Sequence, residues 1–384
     1  MAKTTEISWT DSTWSPVRVR VRSDAPSIAK AKGYSSLVEI ALKMRGHVGQ
    51  HCEHVSPGCE HCCAETNNHR CLPGNGTGLP YDRRSRDLVD AFVDEKVLLQ
   101  PLKWGPVYLP CDKCGSISNR DCLHTSHETR PRRIFVENQS DLFGEWVTDE
   151  MLDHIFAVMA LCPEHTFQVL TKRPERMQNY LSKAQHRLGE IVFINALRGI
   201  GSIDPESIRH PESRRWPYPN FWLGVSVENQ AAADERIPLL LQTPAAVRFI
   251  SAEPLLGPVN IGTWWGWWCH HEDSYSEEET NATICRQCDE LVFLDWVIVG
   301  GESGHGARPM DPAWARSLRD QCANASVPFF FKQWGAWLGV GQDGGEGRDG
   351  AQELNCSDVP VRVGKKAAGA LLDGVENKAF PRAL

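Results

Sequence analysis

Residues 51–66, HCEHVSPGCEHCCAET, bring four cysteines and three histidines together around a Ser-Pro-Gly turn. Cys52, Cys59 and Cys62 follow the spacing C-x6-C-x2-C, and Cys63 is adjacent to the last of them. Thiolates are ligands for zinc and for iron–sulfur clusters alike. Zinc would take its fourth ligand from a neighbouring histidine, whereas a cubane held by three thiolates keeps one iron open. The spacing alone leaves zinc, an iron–sulfur cluster and a group of buried thiols open.

Two further segments have the ligand pattern of structural zinc sites. Each contains a C-x2-C pair and, some distance away, a cysteine and a histidine separated by one residue, which together make four tetrahedral ligands. The chain has 14 cysteines but no secretion signal at its start, and the reducing cytosol disfavours a disulfide framework. The predicted zinc ligands are Cys111, Cys114, Cys122 and His124 in one segment and Cys269, His271, Cys285 and Cys288 in the other.

Composition and charge are those of a cytoplasmic globular protein. The net charge of -8 disfavours a protein that coats nucleic acid through charge alone. No apolar run approaches the roughly 20 residues of a membrane span, so we expect no membrane association. The length of 384 residues allows two ordinary domains or one barrel with insertions.

Six short apolar runs, each ending in polar or charged residues, predict the strands that position these groups. Near-continuous apolar strands are typical of a parallel sheet that is covered on both faces. Four helix-like segments lie between them, and each opens with a capping residue or a proline. The strands are predicted within 133–141, 167–173, 221–229, 247–254, 295–304 and 327–335, and the helices within 149–162, 174–188, 229–242 and 311–325.

Alternating strands and helices predict an α/β fold, either an open doubly wound sheet or a (β/α) barrel. In both architectures the chemistry collects at the carboxyl ends of the strands. We therefore expect the polar residues at these ends to surround a site, or else to pair with one another as a buried network. They are Glu137, Asn138, Asp141, Lys172, Arg173, Glu228, Asn229, Glu253, Glu302, Lys332 and Gln333.

The main domain is predicted to span residues 1–338. Insertions interrupt the alternation of strands and helices at 18–50, 106–131 and 262–290, and the last two contain the predicted zinc ligands. Residues 339–384 begin with the glycine-rich, polar stretch GVGQDGGEGRDG, which predicts a flexible surface loop followed by a short tail.

Nine sequence blocks occur in the order of a known family. They include VSPGCEHCCAE, ENQSDLFGEWV, QVLTKRPERM, RFISAEPLLGPV and VIVGGESGHGARPM. On these blocks the chain resembles the phage-associated three-cysteine-motif family of uncharacterised proteins. More widely, it resembles radical S-adenosylmethionine enzymes, and among them the spore photoproduct lyase-like branch, where a strand ending in TK also occurs.

The resemblance implies a partial or full TIM-like (β/α) barrel in which the cysteine loop follows the first strand. Cys52, Cys59 and Cys62 would bind a 4Fe-4S cluster whose open iron is chelated by S-adenosylmethionine. One electron would then cleave the sulfonium, and the 5′-deoxyadenosyl radical would abstract a substrate hydrogen. The resemblance further implies an electron donor protein as a partner, a nucleobase or nucleic acid as substrate, and a phage-encoded or prophage-like protein in the cytoplasm of a bacterial host.

Supporting residues are assigned by role. Glu253, Glu302 and Lys172 are the candidate catalytic residues. His61 stands where the family often has an adenine-packing aromatic residue, and Gly300 and Gly301 would let the backbone approach the cofactor. Glu302 is also a candidate for holding the cofactor's ammonium or ribose.

Two other functions stay open. A non-catalytic nucleic-acid-binding protein could hold zinc in all three cysteine groups and offer WWGWW, residues 264–268, for base stacking. A hydrolase could hold a divalent ion between paired carboxylates. The carboxylates for the hydrolase are Glu137, Asp141, Glu228, Glu253 and Glu302.

Overall fold

A computed structural model describes residues 5, 7–70, 76–109, 128–208, 216–264, 274–277, 282–285, 293–346, 352–354 and 358–381. The strands are β1 (Ser12–Trp14), β2 (Val17–Val21), β3 (Val48–Gly49), β4 (Val89–Val93), β5 (Val107–Tyr108), β6 (Thr129–Arg130), β7 (Arg132–Val136), β8 (His165–Thr171), β9 (Phe221–Ser226), β10 (Val247–Ala252), β11 (Ser274–Glu277), β12 (Ala282–Cys285), β13 (Trp296–Gly300), β14 (Phe329–Gln333), β15 (Trp337–Leu338), β16 (Asp343–Glu346), β17 (Gln352–Leu354), β18 (Val361–Arg362), β19 (Leu371–Leu372) and β20 (Val375–Glu376). The helices are α1 (Ala25–Ala31), α2 (Ser35–Lys43), α3 (Cys63–His69), α4 (Arg83–Arg86), α5 (Glu95–Leu98), α6 (Asp149–Ala160), α7 (Pro174–Leu197), α8 (Gln230–Leu241), α9 (Pro312–Asn324) and α10 (Lys365–Ala368).

Seven parallel strands form the main sheet, in the order β1-β7-β8-β9-β10-β13-β14. The strands lie in the sheet in the order in which they occur along the chain, so each new strand is added at the same edge. The sheet curls into a half-barrel. The register between β13 and β14 shifts after Val299, which places Gly300 opposite Gln333. The expected α/β class is confirmed, and the arrangement is compatible with a partial barrel.

Side chains alternate between the two faces of the sheet, as the two-residue period of a strand requires. On β13, Val297 and Val299 join the large core beneath the flanking helices, whereas Trp296 and Ile298 join an aromatic cluster on the other face. Both faces are therefore buried, which explains the continuous apolar runs in the sequence. The aromatic cluster contains Trp9, Trp222, Val247, Phe249, Trp296, Ile298 and Phe330.

A second, smaller sheet of order β3-β2-β4 interrupts the path from β1 to the cysteine loop. Its strand β2 reads VRVRV, and the alternate residues Val19 and Val21 are buried with Leu37 and Ala41 of α2 in a core of their own. The predicted insertion at 18–50 thus forms a packed unit whose last strand, β3, leads into the cysteine loop.

The chain ends cover the inner face of the half-barrel. Residues near the C-terminus run along β14, where Phe331 N donates to Asn377 O at 2.8 Å and Ala379 N donates to Phe329 O at 3.2 Å. Phe380 packs against the aromatic cluster, with the guanidinium of Arg133 3.8 Å from its ring centroid. Edge β14 is thereby paired on its outer side.

All six predicted strands and all four predicted helices are confirmed. Helix α7 continues to Leu197, beyond the predicted end at 188, because Gly189, Val192 and Ala196 are buried along it. The stretch predicted as a flexible loop contains β16 paired with β17, and its residues 347–351 lie outside the described part. Within the described ranges, no helix is long and apolar enough to cross a membrane.

Candidate functional site

A cavity of about 590 Å³ opens at the carboxyl ends of the central strands. It is large enough for a small-molecule ligand, since such sites measure about 300–1,000 Å³. One wall is apolar and is formed by Ile7, Trp9, Phe135 and Leu170. The residues that the sequence assigned to this site and that line the cavity are Cys52, His61, Cys62, Asn138, Lys172, Glu253, Gly301, Glu302, Lys332 and Gln333.

The three predicted cluster cysteines lie close to one another. Cys52 and Cys62 line the cavity, and the Cys59 thiol is within electrostatic range of both. Burial raises the pKa of Cys52 far above its usual value; the nearby acidic groups, Asp141 foremost, add to this, and Arg173 opposes it. Burial therefore favours the neutral thiol over the thiolate at Cys52 in the free protein.

The Ser-Pro-Gly turn sets the positions of the last two cluster cysteines. Ser56 is extended, and the 3-10 turn Pro57–Cys59 follows it. Cys62 is the residue before α3, and the neighbouring Cys63 is solvent-exposed. In the described part of the chain, no three His, Cys, Asp or Glu side chains converge on a single point suited to one metal ion.

A buried network of ion pairs contacts the Ser-Pro-Gly turn through Ser56. Lys172, which follows β8, pairs with Glu228, which follows β9, and donates to Ser56 Oγ at 3.1 Å. Ser56 Oγ in turn donates to Glu228 Oε1 at 2.6 Å, and Arg236 of α8 donates to Glu228 Oε2 at 3.0 Å. Burial opposes ionisation of Glu228, but the two cations and the hydrogen bonds outweigh it and lower its pKa. The predicted catalytic Lys172 is therefore already ion-paired.

The turn fits tightly over this network. A Cβ atom on Gly58 would come within 2.5 Å of Glu228 Cγ and 2.8 Å of Lys172 Nζ. Glycine is needed here because the backbone approaches the ion pair too closely for any side chain.

Arg308 holds the turn from the other side, and its role was missed from the sequence. It donates to both carboxylate oxygens of Glu302, at 2.6 and 2.8 Å. The same guanidinium donates to Glu60 Oε2 at 2.9 Å and to Pro57 O at 3.0 Å. These bonds outweigh burial and lower the pKa of Glu302. The only signal in the sequence was that Arg308 is the first arginine or lysine after GGESG.

Glu253 and the predicted glycines form a third group. Lys332 Nζ lies 2.8 and 2.9 Å from the two oxygens of Glu253, and Gln333 Nε2 donates to it at 3.3 Å. A Cβ on Gly300 would sit 3.1 Å from Glu253 Cδ, and one on Gly301 only 2.0 Å from Trp334 O. Both glycines thus make room for parts of the chain itself. Of the two, Gly301 also borders the cavity.

His61 packs against the loop that contains Arg308. A Cβ on Gly306, whose φ is +81°, would come within 2.8 Å of the imidazole. His61 borders the cavity and its ring is fixed on one side by this glycine. Its predicted contact with adenine stays a prediction.

Two acidic residues after β7 organise the backbone. Asp141 accepts from Thr171 Oγ1 at 2.7 Å and from Lys172 N at 3.0 Å, which ties the end of β8 to this loop. Glu137 is fully buried and accepts from Val17 N at 2.7 Å, while its Oε2 has no partner in the described structure. Burial raises the pKa of Glu137 to about 8. Both oxygens of Asp141 are thus occupied, whereas Glu137 keeps one oxygen without a partner among the described residues.

Most predicted zinc ligands lie outside the described residues. Cys285 ends β12, which pairs with β11 in a hairpin. The others, Cys111, Cys114, Cys122, His124, Cys269, His271 and Cys288, fall in the undescribed segments, so both zinc sites stay predictions.

Fold and site together define an α/β protein with a parallel half-barrel, whose strand ends and cysteine loop enclose one cavity. The chain belongs to the family described as "Protein of unknown function (DUF5131)", whose model matches residues 46–381. No curated protein and no solved structure matches it.

Proposed function

We propose that this protein is an iron–sulfur, S-adenosylmethionine-dependent radical enzyme built on a partial TIM-like barrel. A 4Fe-4S cluster would be held by Cys52, Cys59 and Cys62. The observation that supports this most is the position of Cys52 and Cys62 in the wall of a cavity on the carboxyl side of a parallel sheet, with the Cys59 thiol within electrostatic range of both. Ligands of barrel enzymes bind on that side.

The donor set fits such a group. Three thiols are soft ligands, and thiolates are what iron–sulfur clusters require. Burial and neighbouring acidic groups keep Cys52 protonated, so only a strongly charged metal centre would stabilise it as a thiolate. His61 borders the same cavity as a flat ring.

When bound, the cluster and S-adenosylmethionine supply one-electron cleavage of the sulfonium and abstraction of a substrate hydrogen. The protein's own part is to hold the loop and exclude water. Arg308 and the Lys172–Glu228 pair fix the loop from two sides. Trp9 and Phe135 give the cavity an apolar wall that would limit the access of water to a bound ligand. Lys172 and Glu302 are thus positioning residues in this proposal.

The two zinc sites and an electron donor protein belong to the same proposal. Structural zinc would stabilise the two cysteine-rich insertions, which are too short to form a core of their own. The exposed cysteine loop beside Cys63 is where an electron would enter.

The two other functions have less support. Each carboxylate of the hydrolase hypothesis is bound by a cation or by hydrogen-bond donors, as described above for Glu228, Glu253 and Glu302. The first residue of WWGWW, Trp264, is buried in the main core and so is not a stacking surface.

Anaerobic reconstitution tests the proposal. We expect about four irons per chain, and 5′-deoxyadenosine after reduction in the presence of S-adenosylmethionine. Replacing Cys52, Cys59 or Cys62 by alanine should abolish iron binding. The matched control is Cys63→Ala, which removes the adjacent exposed thiol and should retain the iron. A chain that binds zinc at all three cysteine groups and no iron would refute the proposal.

A further inference from the structure

The charged side chains that line the cavity are, with one exception, neutralised within the protein. Lys365 also lines the cavity, yet within the described ranges its side-chain ammonium has no hydrogen-bond or ion-pair partner. It is exposed at the cavity's edge. A single uncompensated cation favours an anionic group on the ligand. The internal pairs are Lys172–Glu228, Lys332–Glu253 and Arg308–Glu302.

The backbone fixes the position of Lys365. Gly364, with a φ of +89°, donates its N–H to Ala336 O at 3.0 Å, and Ala368 N donates to Gly364 O at 2.9 Å. Trp334 N donates to Gly369 O at 3.0 Å, so the turn is tied to the segment after β14 at both ends. The next residue, Lys366, is also exposed but does not line the cavity, and so provides a matched control.

Four carboxamides line the same cavity with hydrogen-bonding capacity left over. Asn138 and Gln139 use their oxygens, as acceptors from Ser15 Oγ and Asn67 Nδ2, and keep amide N–H groups without partners among the described residues. Asn67 and Gln333 use their N–H groups and keep carbonyl oxygens. Free donors and free acceptors beside an apolar wall with two aromatic rings match the edge and face of a nucleobase.

We propose that the cavity binds a nucleotide unit, with the base against the wall of Ile7, Trp9, Phe135 and Leu170 and the phosphate on Lys365. This names the substrate class of the enzyme proposed above and rests on that proposal for its catalytic meaning. The binding itself needs neither the cluster nor the radical chemistry. The phosphate belongs either to a free nucleotide or to a single strand, and both present the same chemistry to Lys365.

Calorimetry with the full-length chain, before iron–sulfur reconstitution and with any bound zinc left in place, tests the proposal at one fixed salt concentration. The probes are the four 2′-deoxynucleoside 5′-monophosphates, their nucleosides, a single-stranded pentanucleotide and S-adenosylmethionine. For at least one base, the monophosphate should bind about 10- to 100-fold more tightly than the nucleoside, as expected for one charge-assisted hydrogen bond. Lys365→Ala should remove this difference, Lys365→Arg should retain most of it, and Lys366→Ala should leave it unchanged. Tighter binding of the pentanucleotide would identify a strand as the natural source.

Three results would overturn the proposal: no preference for the monophosphate in the unaltered chain, an equal loss in Lys366→Ala, or a loss confined to S-adenosylmethionine in Lys365→Ala. The last would assign Lys365 to the cofactor carboxylate. Iron content and 5′-deoxyadenosine formation are measured separately, so failure of nucleotide binding is distinguishable from failure of the radical-enzyme proposal.

Discussion

Replacing the buried Glu137 by glutamine should make the protein more stable at alkaline pH. One oxygen of Glu137 accepts from Val17 N at 2.7 Å and the other has no partner among the described residues. Burial raises its pKa to about 8; the nearby Asp141 contributes in the same direction, whereas Arg18 and the Val17 hydrogen bond oppose it. Glutamine keeps the acceptor for Val17 and has the shape of the neutral acid, so Glu137→Gln removes only the titration.

The sign and size follow from proton linkage. The pKa of Glu137 is about 8 in the folded chain, against 4.5 for an ordinary glutamate. The stability associated with the bound proton is therefore complete below about 4.5, falls as the pH rises, and is lost above about 8. At about 1.4 kcal/mol per pH unit, the difference corresponds to at most about 5 kcal/mol, and relaxation around the charge would reduce it to about 2–5 kcal/mol.

Urea denaturation of the unaltered chain and of Glu137→Gln, at constant ionic strength from pH 5 to pH 9, measures this directly. The two free energies of unfolding should nearly agree at pH 5 and diverge until the variant is more stable by about 2–5 kcal/mol at pH 9. Glu137→Ala is the control, since it also loses the Val17 hydrogen bond and should be less stable at pH 5. If the free energies of unfolding of the unaltered chain and of Glu137→Gln differed by the same amount at every pH from 5 to 9, the titration of Glu137 would not affect stability and the prediction would be refuted.

The remaining predictions concern the contacts that hold the cysteine loop in place. Arg308→Lys keeps the positive charge but loses the two-pronged guanidinium that bonds Glu302 and Pro57 O, so we expect amide hydrogen exchange in residues 57–62 to accelerate by about 10- to 100-fold. The control is Arg316→Lys, which removes a guanidinium that bonds Asp373 instead. Equal exchange in residues 57–62 of both variants would contradict the proposed contribution of Arg308 to holding the cysteine loop. Gly58→Ala forces a Cβ to within 2.5 Å of Glu228 Cγ and should lower the free energy of unfolding by about 1–3 kcal/mol, whereas Gly105→Ala, with no atom within 4 Å, should cost much less. Similar losses in a denaturation series of both glycine variants would show that the loop is not tightly seated.

The strands and helices of the half-barrel were predictable because local signals and tertiary burial agree. A strand covered on both faces is expected to be apolar along its length, as β13 is. Helix starts are marked by capping residues such as Thr148, Asn229 and Asp311, each of which accepts a backbone N–H. By contrast, β1 has only three residues and gives no periodic signal.

The carboxyl ends of the strands were correctly expected to surround one cavity, but the partners of their side chains were not predictable. Arg308 and Glu60 are separated by 248 residues, and no local pattern encodes which charge meets which. Pairing of this kind depends on how the half-barrel curls and on where the cysteine loop returns to it. The sequence could therefore place the site at the strand ends, whereas the neutralisation of its charges required the structure.

That neutralisation restricts how the site can recognise a ligand. A lysine or glutamate left alone in a partly dry cavity would carry a desolvation cost, and the strand ends avoid it by pairing across the sheet, as Lys332 does with Glu253. The paired groups are then occupied with holding the cysteine loop and the strand ends in place. Among the described lining residues, what stays available to a ligand is the thiols, the ring of His61, the apolar wall, the carboxamide edges and one unpaired lysine, Lys365. Selectivity in such a cavity must come from the shape and hydrogen-bonding edge of the ligand, with a single charge to set its orientation.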